Sequence, residues 1–277
     1  MNLKSILILA VISITSINGT NASDAVTMEQ YQETENLLYA RRTEQSNVAN
    51  YYRCGVQKLY DLYKKCKETA PTDSTPCAKV TLALARVLHE QTALSYDEEN
   101  NIVYELPPHR VKSFELFEEV TNSYPDCKDP NVLALALFYQ ADNARWGMSK
   151  DQDYELSIAL YNDVINNPEV TDQNVIAWAK GRLGDSYREG QGVEVDLVKS
   201  AQYFQDILDN ANNISDKSIV AWAEYWIADA YEHGKGCEKD TEKAAQMFSQ
   251  ITQTYVKTDP IAVIYARERA ESLKNQL

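Results

Sequence analysis

The chain has 277 residues, 44% of them hydrophobic and 25% charged, with only 9 Gly and 8 Pro; such a composition folds and leaves little room for a long disordered region. Its formal charge of −14 excludes a polyanion as the natural partner. Nucleic acid or an anionic lipid surface would be repelled, and no Lys/Arg-rich stretch with interleaved aromatics offsets the repulsion.

Residues 1–22 have the physics of an export signal: one cation at Lys4, an apolar run from Ile6 to Ile14, and small residues ending at Thr20-Asn21-Ala22, with cleavage expected near Ala22. The run falls short of the roughly 20 residues a spanning helix needs, and no basic stop-transfer cluster comes after it. No cysteine stands at the cleavage site to carry a lipid. Losing Lys4 moves the charge from −14 to −15. The expected destination is periplasmic or secreted, the secretory pathway in a eukaryote, with no membrane insertion once the signal is removed. Residues 23–70 read as helix, with Leu37, Leu38, Val48, Tyr52, Leu59, Leu62 and Tyr63 at mostly helical spacing, and are expected to cap one end of the longer segment from residue 71 onward.

From residue 71 the chain repeats itself. Thr75-Pro76 has the form of a helix start, and Asp129, Asp172, Asp216 and Asp259 stand at intervals of 43, 44 and 43. An Asp in front of a helix accepts hydrogen bonds from its unpaired first-turn N–H groups and suits the positive helix end. Pro130 and Pro260 then occupy the first helical position, where a missing N–H costs nothing. Divergent copies cover 71–128 and 129–171. Lys112-Ser113-Phe114-Glu115-Leu116-Phe117 stands 87 residues ahead of Lys199-Ser200-Ala201-Gln202-Tyr203-Phe204, and Gly147, Asp153, Tyr161 and Val164 precede Gly190, Asp196, Phe204 and Ile207 by 43.

The clearest copies cover 172–215 and 216–258. At an offset of 44 the segment from Ala177 to Ile207 falls on Ala221 to Ile251 without a gap. Ala177-Trp178-Ala179 meets Ala221-Trp222-Ala223, Asp185 meets Asp229, and Tyr187 meets Tyr231. Gly190 and Gly192 meet Gly234 and Gly236, Asp196 meets Asp240, Lys199 meets Lys243, and Phe204 meets Phe248. Within one unit a first helix runs from about Asp172 to Glu189 with Ala177, Leu183, Gly184 and Tyr187 on one face. Gly190 closes it and Gly192 lets the chain reverse. Asp196 caps a second helix whose buried stripe is Ala201, Phe204, Ile207 and Leu208. One hairpin cannot bury its apolar faces alone, so neighbours must stack into an all-α solenoid of helix-turn-helix repeats. A capping helix is expected over 259–277, where Ile261 to Leu273 looks like the first helix of an uncompleted unit.

The run Leu183-Gly184-Asp185-Ser186-Tyr187-Arg188-Glu189-Gly190-Gln191-Gly192-Val193, succeeded by Asp196, Lys199 and Tyr203-Phe204, resembles the Sel1-like repeat (SLR) family, relatives of tetratricopeptide repeats. The second copy departs from the pattern at Ile227-Ala228 and at Cys237, which replaces the loop Val. The resemblance implies a right-handed α-solenoid and an exported adaptor that binds other proteins. It also implies an alternative, a regulator of cell-wall hydrolases or a weak hydrolase of peptidoglycan or β-lactam substrates. Cysteine-rich members of the family bridge the two helices of every repeat, and this sequence does not.

The chemistry-bearing residues point away from catalysis. Cys66 and Cys77 flank the turn from Thr69 to Thr75 and are the first candidates for a disulfide, with Cys54 and Cys127 a second pair. Cys237, the odd one, reads as a small buried residue or as an intermolecular bridge. His89, His109 and His233 pair with no Cys or Asp at ligand spacing, so no metal site is expected. No GxSxG, Walker loop or dinucleotide fingerprint is present, so neither a cofactor nor a catalytic residue is nominated, and the chain is not expected to be an enzyme. Gly190-x-Gly192 recurs as a turn after a helix and is no phosphate loop.

The 18 Tyr and 4 Trp exceed what helix packing requires. Trp178 and Trp222, equivalent positions near the starts of their helices, are expected to line the concave side with Tyr225 and Trp226 as anchors for a partner. The repeat motif itself, Tyr187, Gly190, Gly192 and Asp196 with Tyr231, Gly234, Gly236 and Asp240, is expected to be structural. The reading is a scaffold whose acidic, Tyr-rich concave groove binds a protein or peptide segment, as a monomer or weak homo-oligomer.

Overall fold

The computed structural model describes residues 25–39, 48–69, 73–90, 95–96, 102–103, 108–124 and 126–274. The expected export signal and the side chains of Leu37, Leu38, Val48, Tyr52, Cys54 and His109 lie outside the described residues. The chain divides into two units, Met1–Thr72 and Asp73–Leu277. In the first, α1 (Met28–Tyr39) packs on α2 (Val48–Glu68). The start of α1 is a capping box, in which Thr27 Oγ1 accepts from the Gln30 amide and Gln30 Oε1 accepts from the Thr27 amide.

The second unit opens with α3 (Thr75–Glu90) and α4 (Pro108–Ser123), between which β1 (Ser95–Tyr96) and β2 (Ile102–Val103) form a two-residue antiparallel ladder. Then come α5 (Pro130–Trp146), α6 (Tyr154–Asn166), α7 (Gln173–Glu189), α8 (Leu197–Asp209), α9 (Lys217–His233), α10 (Thr241–Thr254) and α11 (Pro260–Lys274). Each helix packs on the next, so the architecture is an all-α array of two-helix modules ending in the unpaired first helix α11.

The repeated aspartates set where the helices begin. Asp129, Asp172, Asp216 and Asp259 accept from the amides of Asn131, Asn174, Ser218 and Ala262 at the starts of the first helices. Asp153, Asp196 and Asp240 do the same for Leu156, Lys199 and Lys243 at the second helices. Gly190 and Gly234 end α7 and α9 at φ of 70° and 67°. The carbonyls of Tyr187 and Tyr231 receive the amides of Asp196 and Asp240, and their hydroxyls receive Lys199 Nζ at 2.6 Å and Lys243 Nζ at 2.7 Å. The loop is thereby tied to the helix it leaves.

Gly192 and Gly236 are required for a different reason, the closeness of neighbouring modules. A Cβ on Gly236 would stand 2.1 Å from the Leu197 carbonyl oxygen, and one on Gly192 would stand 2.8 Å from Tyr154 Cβ. Each loop therefore rests on the first turn of the preceding module's second helix. Between modules the core is a series of rings, Tyr161, Phe204 and Phe248, at equivalent positions and no more than 4% exposed. Phe204 lies so close to Gly184 that a Cβ there would meet its ring at 2.9 Å. Burying one such ring contributes roughly 1.5–3 kcal/mol against about 1 kcal/mol for a cap, so the rings drive the stacking and the caps fix its register. Of the expected second-helix stripe, Phe204 and Ile207 are buried while Ala201 and Leu208 are half-buried.

Candidate docking face

First helices touch first helices in series, α3 to α5, α7, α9 and α11, whereas second helices meet one another more sparsely. The first helices therefore form the inner row of this unit. On α7 the positions of Trp178, Arg182, Asp185 and Glu189 fall within an arc of roughly 60°, since spacings of four, seven and eleven return to the same side of a helix. That arc is neither of the two sides α7 buries. Val175, Ala179 and Leu183 pack toward α5 and α6, and Ala177 and Gly184 pack toward α8 and α9.

The module period carries this arc onto its neighbours. Leu135, Trp178, Trp222 and Tyr265 form one row across α5, α7, α9 and α11, and Tyr139, Arg182, Trp226 and Arg269 form a second. Asp142, Asp185, Asp229 and Ser272 form a third, and Trp146, Glu189 and His233 a fourth. The face is thus a lattice of aromatic, arginine and carboxylate positions. Trp146 is 48% exposed and Tyr265 49% exposed, while Trp178, Trp222, Tyr225 and Trp226 are half-buried against the core.

The rings bind one another at close range. Trp222 and Tyr225 are 5.7 Å apart edge to face, Tyr225 and Trp226 are 5.1 Å apart, and Trp222 lies 6.0 Å from Tyr265. Tyr225 also reaches the Phe248 ring of α10 at 5.4 Å, and Trp226 stacks on the Phe204 ring of α8 at 6.3 Å, so both rest on the core. Arginines fill the gaps: Arg182 lies 6.0 Å from the Trp146 ring and 5.8 Å from the Trp178 ring, and Arg188 lies over Trp226 at 3.6 Å.

The carboxylates of this face are spent on those arginines. Arg182 grips Asp142 with Nε at 3.0 Å and NH2 at 3.3 Å, across the α5–α7 junction. Arg269 pairs with Glu232 at 2.6 Å and reaches Asp229 at 4.0 Å across α9–α11. At the α7–α9 junction the second-row position is Trp226, so Arg188 turns to Asp185 at 2.9 Å and Glu189 at 2.7 Å within its own helix. The face is lined by Trp, Tyr and Arg with its carboxylates ion-paired, not the acidic surface expected from the total charge. Beneath Trp146, Arg145 is 1% exposed and donates to Ser186 Oγ at 2.6 Å. Tyr161 donates to Asp142; burial first, and then that carboxylate, hold its hydroxyl far above the usual phenol range, so it remains a donor.

Asp229, Glu232 and His233 bring one ligand atom each within 4.8 Å of the others, which corrects the expectation that His233 has no Asp at ligand spacing, since positions three and four apart share one side of a helix. Lys235 and Arg269 already pair with the two carboxylates, so a cation would have to displace them. His89 packs its ring against Phe114, Phe117 and Tyr139. Cys66 and Cys77 are both disulfide-bonded. The expected pairing of Cys127 with Cys54 is corrected: Cys127 is a free thiol whose Sγ donates to the Asp129 carbonyl at 3.7 Å. Cys237 is also free and half-buried. Burial pushes both thiols up, the opposite of a reactive cysteine.

Trp178 and Trp222 fall on this face at an offset of 44, and Tyr225 and Trp226 stand three and four residues after Trp222 on α9. Trp146, Arg182, Arg188, Tyr265 and Arg269 were missed, although module offsets of 43 and 44, combined with steps of four and seven along a helix, place all but Arg188 on the face. Among the described residues no helix is long and apolar enough to cross a membrane.

The Sel1 repeat family model matches residues 179–205 and 223–251. No curated protein matches the chain. Among solved structures it is similar to a Sel1 repeat protein from Oxalobacter formigenes, at 13% identity and TM-score 0.49, covering 88% of this chain and 86% of that one. It is also similar to c5321, a protective antigen present in uropathogenic Escherichia coli strains displaying an SLR fold, at 14% identity and TM-score 0.45. That alignment covers 93% of this chain and 57% of the other, so this chain spans little more than half of c5321. Both matched segments lie inside the α7–α8 and α9–α10 modules, so these two modules match the Sel1 repeat.

Proposed function

We propose that the chain is an exported, non-catalytic scaffold that docks a protein or peptide segment on the first-helix face of its repeat array. The observation that carries the proposal is the composition of that face, where Trp, Tyr and Arg recur module by module and Trp146 and Tyr265 stand about half exposed. These are the residue types that dominate binding energy at protein interfaces, because they desolvate a large area with few torsions to freeze. A non-catalytic role is supported by the fate of the reactive groups: the free thiols are protonated, His89 is ring-packed, and the face carboxylates are ion-paired. An exported location rests on the N-terminal apolar run and the disulfide-bonded Cys66 and Cys77.

The test uses the full chain as bait in its exporting compartment beside two variants. One combines Trp146→Ala with Tyr265→Ala on the face, and the other is Gln202→Ala on the exposed side of α8. A saturable partner retained by wild type and by Gln202→Ala but lost by the double variant is the expected result. Equal capture by all three overturns the assignment of the face.

A further inference from the structure

We infer that Asp229, Glu232 and His233 form a site for a divalent transition-metal ion of the zinc class, whose position the Arg269 guanidinium occupies until the ion displaces it. The inference starts from a break in the repeat. The position of Glu232 is Arg145 on α5 and Arg188 on α7, so in two modules the end of the first helix carries its own cation three residues after Asp142 or Asp185. On α9 that arginine has become a glutamate, and the next position is a histidine. Two carboxylates therefore stand near the C-terminus of α9, where the negative end of the helix dipole repels them. The neutralising cation has to come from outside the turn.

The geometry is that of three ligands around one cation. A single atom, Arg269 NH2, lies 2.6 Å from Glu232 Oε1, 3.2 Å from His233 Nε2 and 4.0 Å from Asp229 Oδ1. A guanidinium only donates, so His233 Nε2 turns its lone pair toward this point. The other ring nitrogen fixes the same tautomer: Nδ1 lies 3.0 Å from the Asp229 carbonyl oxygen and 3.2 Å from Asp229 Oδ1, both acceptors, and so carries the proton. Proteins orient a histidine ligand in this way, with one ring N–H held by oxygen and the other nitrogen left for the metal. Glu232 Oε1 and His233 Nε2 are 3.9 Å apart, and ligands ~2.1 Å from a tetrahedral zinc stand ~3.4 Å apart, so about half an ångström of side-chain movement closes them on an ion.

The donor set selects the ion. Two carboxylates cancel the charge of a divalent cation, and an imidazole nitrogen favours zinc-like ions over calcium or magnesium, which take oxygen. Three protein ligands leave a further position to water, and the exposed His233 gives the ion its way in. Both competitors stand on flexible stems that can swing into solvent, Lys235 being 45% and Arg269 34% exposed. Once the ion holds the three ligand atoms it repels the guanidinium, so ion binding and the Glu232–Arg269 clasp between α9 and α11 exclude one another.

The test titrates zinc chloride into the full chain by calorimetry, with calcium chloride as comparator. The variants are His233→Ala, Glu232→Gln, Arg269→Met and Cys237→Ser, each checked for folding by a thermal melt. One saturable zinc equivalent is expected in wild type, bound about tenfold or more tighter than calcium. His233→Ala and Glu232→Gln should each weaken zinc about tenfold or more, and Arg269→Met, which keeps the apolar stem and removes the competitor, should tighten it by a similar factor. Cys237→Ser, which takes away a free thiol four residues along the chain, should change nothing. No saturable zinc binding to wild type, binding that survives His233→Ala or disappears in Cys237→Ser, or an Arg269→Met variant that binds no tighter than wild type overturns the inference.

Discussion

Gly181 and Gly236 carry opposite constraints. Gly181 lies inside α7 at an ordinary helical φ, and a Cβ there would meet nothing nearer than Ile207 Cδ1 at 3.8 Å. Glycine in that position costs about 0.5–1 kcal/mol relative to alanine through the freedom of the unfolded chain. Gly181→Ala should therefore stabilise the protein and raise its thermal midpoint by a few degrees. Gly236, at φ 78°, has the Leu197 carbonyl oxygen 2.1 Å from where a Cβ would stand. Backbone cannot yield as a side-chain tip can, and strain and overlap act together, so Gly236→Ala should cost about 2–4 kcal/mol. Melting both variants by circular dichroism decides the matter. No loss of stability in Gly236→Ala would show that the loop of one module does not rest on the helix of the previous one as described, and a loss in Gly181→Ala would show that α7 lacks room for a Cβ at that position.

At the scale of the element, the junctions between first helices are held by a device with the module period. Asn131 Oδ1 accepts the amides of Thr171 and Asp172 at 2.8 and 2.9 Å, and Asn174 Oδ1 accepts those of Ser215 and Asp216 at 3.0 and 2.9 Å. The second residue of each first helix thus fastens the entry to the next. At the third junction the position is Ser218, which donates to the Thr258 carbonyl at 3.3 Å, and the amides of Thr258 and Asp259 go to the Tyr255 carbonyl instead. Removing the carboxamide strands two amides in the first two junctions and none in the third. Asn131→Ala and Asn174→Ala should each cost about 1–3 kcal/mol, and Ser218→Ala less than about 0.5 kcal/mol, in urea unfolding. Equal effects at all three positions would deny the asparagines this role. The helices themselves were readable from the sequence, because aspartate caps, closing glycines and apolar steps of three and four are local signals repeated at 43 or 44 residues. The clamps were not, because an asparagine one residue after a cap looks like ordinary first-turn polarity until the next module is placed against it. Arg182 and Arg269 were hidden for the same reason, their partners Asp142 and Asp229 lying 40 residues away on another helix.

At the scale of the whole chain, charge and chemistry act at different distances. The formal charge of −14 belongs to the entire surface, whereas the proposed docking face holds its carboxylates in pairs with Arg182, Arg188 and Arg269. Charge spread over a surface accelerates encounter with a cation and is screened by salt, with the Debye length falling from about 10 Å at 0.1 M to about 3 Å at 1 M. Rings that desolvate on contact govern departure and are little affected by salt over that range. For a cationic protein segment docked on this face, stopped-flow association should slow by about tenfold between 0.1 and 1 M salt while the dissociation rate changes by less than about twofold. Trp222→Ala should do the reverse, speeding dissociation at either salt concentration and leaving the salt dependence of association intact. A dissociation rate that climbs steeply with salt would mean that ion pairs form inside the contact itself, and the internal pairing of the face carboxylates would then have to open when the partner arrives.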